Sequence, residues 1–219
     1  MSTLDGPRWG PKAGGAPRQL VVICHGLGAD GHDLIDLAPG WGIALPHAAF
    51  VAPDAPESYQ GMPFGRQWFD VTDRAPARMR AGVAVAAEAL LGFVEAELKR
   101  LALPPDAVAL MGFSQGAMTA LHAGLRRPVP PRAILAFSGA LLDPALASHA
   151  APWPPVLLVH GTADEVVPAE RSHEAESALR AAGVPVESLF VRDLGHGIDA
   201  AGMTAGALYL QRAFAGDAA

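Results

Sequence analysis

Six short aliphatic runs recur along the chain, each bounded by glycine, proline or polar residues: 19–24, 49–52, 107–113, 133–137, 156–160 and 187–191. Most lack the apolar–polar alternation of a half-wet strand, so they fit strands buried on both faces, as in a parallel sheet. The stretches between them carry helical spacing. In the clearest, about residues 77–101, Val83, Ala87, Leu90, Leu91, Val94, Leu98 and Leu101 recur at steps of three and four and make one apolar face. Glu88, Glu95 and Lys99 fall on the other side, with Glu95 and Lys99 spaced as a favourable i,i+4 pair, and Pro104-Pro105 ends the helix. Further helices are expected over 115–126, over 169–182 with Gly183 just past the end, and over 199–214. Strand and helix in alternation predict an α/β fold: one domain with a mostly parallel, doubly wound sheet. Its motifs occupy residues 19–215, and residues 1–18 form an N-terminal segment without one.

Composition narrows the function classes. The chain is 219 residues long and 51% hydrophobic, enough for one substantial core. Its 24 Gly and 20 Pro fall short of the roughly 25–30% that marks a disordered chain. A net charge of −6 with no dense Lys/Arg cluster argues against a nucleic-acid surface, which needs local positive charge to displace counterions. The single cysteine, Cys24, excludes an intramolecular disulfide and suits a reducing compartment. The first 17 residues lack the apolar core of a signal peptide, and no run is long enough to span a membrane, so a cytoplasmic protein without stable membrane insertion is expected.

The chemistry-bearing motif is Gly112-Phe113-Ser114-Gln115-Gly116. A strand precedes it and a helix can begin at Gln115, so Ser114 sits on a sharp turn. There the flanking glycines spare the neighbouring strand and helix a Cβ. The motif alone is equally consistent with a tight turn whose serine merely caps the helix; the partners decide. A serine hydroxyl needs a histidine base and a carboxylate behind it, and in sheets of this kind they follow in the order Ser, acid, His. His196, in Gly195-His196-Gly197 after the last strand, meets that order. His122 and His173 fall inside helices, and His149 lies in a Pro/Ala-rich loop. Asp164 stands at the carboxyl end of the run 156–160, where open α/β sheets place their sites. Its alternative role is helix entry. Asp143 reads as a turn residue beside Pro144, and Asp193 and Asp199 lie too near His196 in sequence to approach it from a separate loop. After the first strand, Cys24-His25-Gly26-Leu27-Gly28 occupies the place of an oxyanion loop, giving the backbone N–H groups of Leu27 and Gln115 as donors. Cys24 is read as a small buried apolar residue and His25 as a prop of that loop.

Six segments together resemble the phospholipase/carboxylesterase family, the small α/β hydrolases that include acyl-protein thioesterases and bacterial carboxylesterases. They are residues 24–30, Pro53-Asp54-Ala55-Pro56, Arg66-Gln67-Trp68-Phe69-Asp70, the 112–116 motif, His160-Gly161-Thr162-Ala163-Asp164 with Val167-Pro168, and 195–197. The resemblance runs from about residue 19 to 212, and Cys24 departs from it where many relatives carry leucine. It implies a compact α/β hydrolase and a Ser114–Asp164–His196 triad with no metal or organic cofactor. It further implies a pocket-side Trp68, with Phe69 either pocket or core, and association as a homodimer. The expected activity is hydrolysis of short-to-medium acyl esters or thioesters through an acyl-enzyme, rising with pH as the base loses its proton, at about pH 6–7 for an ordinary histidine. Residues 139–155 are too few and too proline-rich for a cap, so an open pocket walled by Trp68, Leu141 and Val167 is expected, without interfacial activation. Alternatives are acyl-protein thioesterase or lysophospholipase action as the main activity, a non-catalytic binding protein, and a dienelactone-type hydrolase or peptidase. Ser114 weighs against the dienelactone type.

Overall fold

The computed structural model describes residues 4–60, 62–145 and 152–215. In chain order the elements are β1 (Arg8–Trp9), β2 (Gln19–Cys24), α1 (Gly31–Ile35), α2 (Ala38–Ala44), β3 (Ala48–Val51), β4 (Glu57–Ser58) and β5 (Arg66–Gln67). There follow α3 (Pro76–Arg100), β6 (Val108–Phe113), α4 (Gln115–Gly124), β7 (Ala133–Phe137), β8 (Val156–Gly161), α5 (Glu170–Ala181), β9 (Val186–Val191) and α6 (Ala200–Phe214). A seven-stranded sheet runs β1-β3-β2-β6-β7-β8-β9, parallel throughout except for β1, which pairs antiparallel with β3. β4 and β5 make a separate antiparallel hairpin.

Period two explains why the central runs are apolar on both sides. Leu20, Val22 and Cys24 of β2 join a core with Val83, Leu90 and Val94 of α3, Leu121 of α4 and Leu179 of α5. Val21 and Ile23 join the opposite core with Leu34, Trp41 of α2, and Tyr209 and Leu210 of α6. β2, β7 and β8 are buried along their length. β9 is half-exposed because it closes the sheet on one edge.

The helix ends follow local chemistry. α5 stops in a Schellman turn: Gly183, at φ +78°, donates its N–H to the Arg180 carbonyl, and the Val184 N–H reaches back to Leu179, each at 3.0 Å. Asp199 lies just outside α6 as its N-cap, accepting from the Gly202 N–H at 2.8 Å, so the helix begins one residue later than expected. The expected Glu95–Lys99 pair is replaced: Glu95 takes both Nε and Nη2 of Arg127, at 3.0 and 2.8 Å. Arg127 is held in the fold, whereas a surface lysine would lose more rotamer entropy for the same contact.

Residues 4–18 carry no motif, yet the first half of the segment packs on the sheet. β1 extends the sheet, Trp9 lies edge-on to Phe50 with ring centroids 5.8 Å apart, and Arg8 forks onto the buried Glu97 of α3 at 2.7 and 3.2 Å. Residue 19 therefore marks where the motifs start, while the folded body includes residues before it. Between β7 and β8, residues 146–151, His149 among them, lie outside the described residues.

Candidate active site

The turn between β6 and α4 has the geometry that the glycines predict. Ser114 adopts φ +55° and ψ −118°, a conformation suited to glycine, and its N–H is tied to the Phe137 carbonyl at 2.9 Å. A Cβ on Gly112 would lie 2.3 Å from the Gly116 backbone, and one on Gly116 would lie 2.2 Å from the Cys24 carbonyl oxygen. Strain of this kind costs about 1–3 kcal/mol. Burying one large aliphatic side chain contributes about as much, so the double core offsets it readily.

The carboxylate and the imidazole meet because two loops are laced together. Gly161 ends β8, and a Cβ there would come within 2.2 Å of the Leu194 carbonyl oxygen. Without one, the loops approach. Thr162 N–H binds the Val191 carbonyl, Ala163 N–H binds Leu194, and the Asp193 N–H donates to Thr162 Oγ1, at 2.9, 2.9 and 3.0 Å. Asp164 Oδ2 then sits 2.7 Å from Nδ1 of His196. Asp164 Oδ1 accepts from the Val166 and Val167 N–H groups, each at 2.9 Å. Burial alone pushes this carboxyl up. The hydrogen bonds from His196, Val167 and Val166 overcome that and hold it below the ordinary aspartate range. His196 stacks at a tilt on Phe113, the residue before Ser114, with centroids 4.7 Å apart. Among the described residues Ser114 and His196 form no direct hydrogen bond.

The first loop is braced by His25. The Ala55 N–H donates to Nε2 at 2.9 Å, so the proton resides on Nδ1, which donates to the Gly26 carbonyl at 2.7 Å. Burial pushes this imidazole below its usual range, against the opposing pull of the Gly26 carbonyl and of Asp54, Asp30 and Asp33. Its ring is therefore neutral and orients the peptide that ends in the Leu27 N–H. Gln115 opens α4, so its own N–H has no carbonyl one turn back within the helix. Cys24 packs in the core, where burial raises its thiol pKa.

A cavity of about 290 Å³ lies beside Ser114, with Leu27, Val71, Met79, Met118, Leu142 and Val167 among its apolar walls and Gln115 at its edge. Arg74 and Arg171 are the charged residues on its lining. Two expected walls are corrected. Trp68 is 1% exposed and faces inward: its Nε1–H donates to the His25 carbonyl at 2.9 Å, and its backbone N–H donates to Gln115 Oε1 at 2.8 Å. Phe69 is core too, and its carbonyl takes Gln115 Nε2–H at 2.7 Å. Leu141 and Leu142 both pack against the core, but it is Ala140 and Leu142, and not Leu141, that line the cavity. Val167 lines it.

The rival residues have other work. Asp143 pairs with Arg126 at 2.6 Å, Asp193 sits in the turn at φ +57°, and His173 stacks on Phe190. His160, Ser172, Met118 and the two cavity arginines went unread in the sequence. For His160 the available signal was its place four residues before the acid. Among the described residues no group of His, Cys, Asp or Glu has a metal-holding arrangement, and no helix is long and apolar enough to cross a membrane.

Sheet order, covering helices and strand-end loops define an α/β hydrolase. The phospholipase/carboxylesterase family model matches residues 12–213, and the chain belongs to that family. It is 31% identical over 183 residues to esterase YpfH of Escherichia coli K12, covering 83% of this chain and 77% of the relative. It is 32% identical over 168 residues to acyl-protein thioesterase 1 of Schizosaccharomyces pombe, covering 73% and 74%. The crystal structure of esterase PE8 superposes with a TM-score of 0.90 at 39% identity, covering 96% of this chain and 99% of that one. At the level of the family this is carboxylic ester and thioester hydrolase chemistry.

Proposed function

We propose that the chain is a serine carboxylesterase/thioesterase acting through Ser114, His196 and Asp164. The observation that carries the reading is the 2.7 Å contact between His196 and Asp164 beside a strained Ser114 on the lining of a largely apolar cavity. His196 takes the Ser114 proton as Oγ attacks the acyl carbonyl; catalytic hydrogen bonds that are open in the free enzyme tighten around substrate. The N–H groups of Leu27 and Gln115 receive the developing oxyanion. His196 then protonates the departing alcohol or thiol, and water, deprotonated by the same ring, releases the acid from Ser114. Asp164 fixes the imidazole tautomer and stabilises its cation.

At about 290 Å³ the cavity stands at the small end of ligand pockets, roughly 300–1,000 Å³, which favours short-to-medium acyl groups. Labelling by a fluorophosphonate probe, abolished in Ser114→Ala together with a loss of order 10⁴–10⁶ in kcat, is the expected result. Undiminished labelling in that variant would remove Ser114 from the mechanism. A panel of p-nitrophenyl esters from two to twelve carbons, beside a palmitoyl-thioester peptide, tests the acyl preference. Faster turnover of the palmitoyl thioester would favour the acyl-protein thioesterase reading.

A further inference from the structure

We infer that His160 is a positioning residue for the acid of the triad, holding Asp164 through the oxygen that also serves His196. This inference rests on the proposed function. Both side chains are fully buried, and His160 Nε2 lies 3.2 Å from Asp164 Oδ2 and 2.8 Å from the Val167 carbonyl. A carbonyl only accepts, so Nε2 carries a proton and donates it to Val167, with its positive edge in contact with Asp164 Oδ2. On the far side of the ring, Nδ1 stands 2.6 Å from Ser172 Oγ, which also reaches the Gly139 carbonyl at 3.5 Å; in the neutral ring the hydroxyl donates to Nδ1, the shorter contact. The Val167 carbonyl thereby sets the tautomer, and Ser172 anchors the other edge of the ring.

Asp164 then has three hydrogen-bond donors, the Val166 and Val167 N–H groups on Oδ1 and His196 on Oδ2, and the Nε2 edge of His160 stands against Oδ2 at 3.2 Å. The groups facing this pair are His196 from the loop after β9, Ser172 from α5, and the 164–167 turn; among the described residues no other charged side chain is bonded to Asp164. Two consequences follow. The Oδ2 lone pair left for His196 is fixed in direction, because Val167 is gripped both at its N–H by Asp164 and at its carbonyl by His160. The positive Nε2–H edge against Oδ2 also offsets part of the carboxylate charge that faces His196, so removing it should strengthen the pull of Asp164 on the imidazolium formed during catalysis. A residue that only filled the end of β8 would have neither effect.

The test measures kcat/KM of p-nitrophenyl butyrate between pH 5 and 9 in wild type, His160→Leu, His160→Gln and Ser172→Ala, with thermal unfolding as the check on folding. For His160→Leu we expect a plateau lower by about tenfold or more. We also expect its acid limb displaced upward by roughly half a pH unit or more. His160→Gln, whose amide can replace the Nε2–H, should restore part of both, and Ser172→Ala should move the limb the same way by less. A folded His160→Leu with the wild-type limb overturns the inference, as does a rate loss that His160→Gln leaves unrepaired. If His160→Leu fails to fold, a Ser172→Ala limb coincident with wild type overturns it instead. The downfield NMR proton of the His196–Asp164 contact separates this from failure of the proposed function. Should the wild type neither turn over esters nor react with the fluorophosphonate, the function falls; a displaced proton in Ser172→Ala still supports the positioning role, and an unmoved one overturns it.

Discussion

A methyl group on Gly116 would lie 2.2 Å from the carbonyl oxygen of Cys24, so the start of α4 and the end of β2 are in contact through bare backbone. Gly116→Ala must part the two, and both neighbours are peptide groups that cannot rotate away. We expect a loss of about 1–3 kcal/mol. Each kcal/mol should appear as roughly 2–4 °C in the unfolding temperature. Activity should fall further than stability explains, because the Leu27 and Gln115 N–H groups move apart. Calorimetry and ester turnover on the same preparation check both; unchanged turnover would mean that the two N–H groups are not a catalytic pair.

Ser114 occupies a backbone conformation that glycine tolerates without strain. Ser114→Gly should therefore abolish turnover while raising stability by about 1 kcal/mol, the relieved strain less the added freedom of the unfolded chain. Ser114→Ala keeps the strain and should show no such gain. Comparing their denaturant midpoints at neutral pH tests the difference.

His25 is buried as a neutral ring, with its pKa below the ordinary value. The unfolded chain takes up this proton near pH 6.5 and the folded chain resists it until lower pH. Stability is thus fully present above about pH 6.5 and declines as pH falls through the window beneath it. His25→Gln cannot take up the proton. It should be less stable than wild type at pH 7.5, yet lose less between pH 7.5 and 5. Urea unfolding at the two pH values measures this, and parallel losses would contradict it.

Asp164 acts in the same direction, at lower pH. Its folded pKa is depressed, so its contribution is present above about pH 3.9 and disappears as the buried carboxylate is forced to protonate. Asp164→Asn removes the charge and sets an amide N–H against the donors that surround the site. The expected loss in kcat is on the order of 10⁴ with KM little changed. Steady-state kinetics at pH 8 would expose a smaller role.

Removing residues 1–18 should destabilise a chain that keeps every motif. It strips Trp9 from Phe50 and leaves Glu97, 4% exposed, with Arg100 as its remaining partner. Loss of the half-buried Trp9 and its edge-on contact with Phe50 is worth about 1 kcal/mol or more. The truncated chain should unfold at least several degrees lower, by circular dichroism.

What was legible followed from local rules. The unalternating runs marked strands covered on both sides, the 83–98 spacing marked the buried face of α3, and Gly183 marked the end of α5, because each depends on residues a few positions apart. Ser114 and the glycines beside it were legible for the same reason: the strain of the turn is written within five residues. Short pieces such as β1, α1, α2 and the β4–β5 hairpin left no periodicity to detect, and their positions come from what they pack against.

The sequence by itself determined which residue types stand at the strand ends, since propensity, spacing and turn chemistry act along the chain. The folded arrangement alone decided who touches whom. Trp68 turned inward because its indole N–H found the His25 carbonyl 43 positions away, and Leu141 lost its place at the cavity to its two neighbours. His160 and His196 came to face the same oxygen of Asp164, at 3.2 and 2.7 Å, because Gly161 lets two distant loops close to contact distance. Such contacts are set by the three-dimensional packing of groups distant along the chain, to a fraction of an ångström, and no local pattern encodes that.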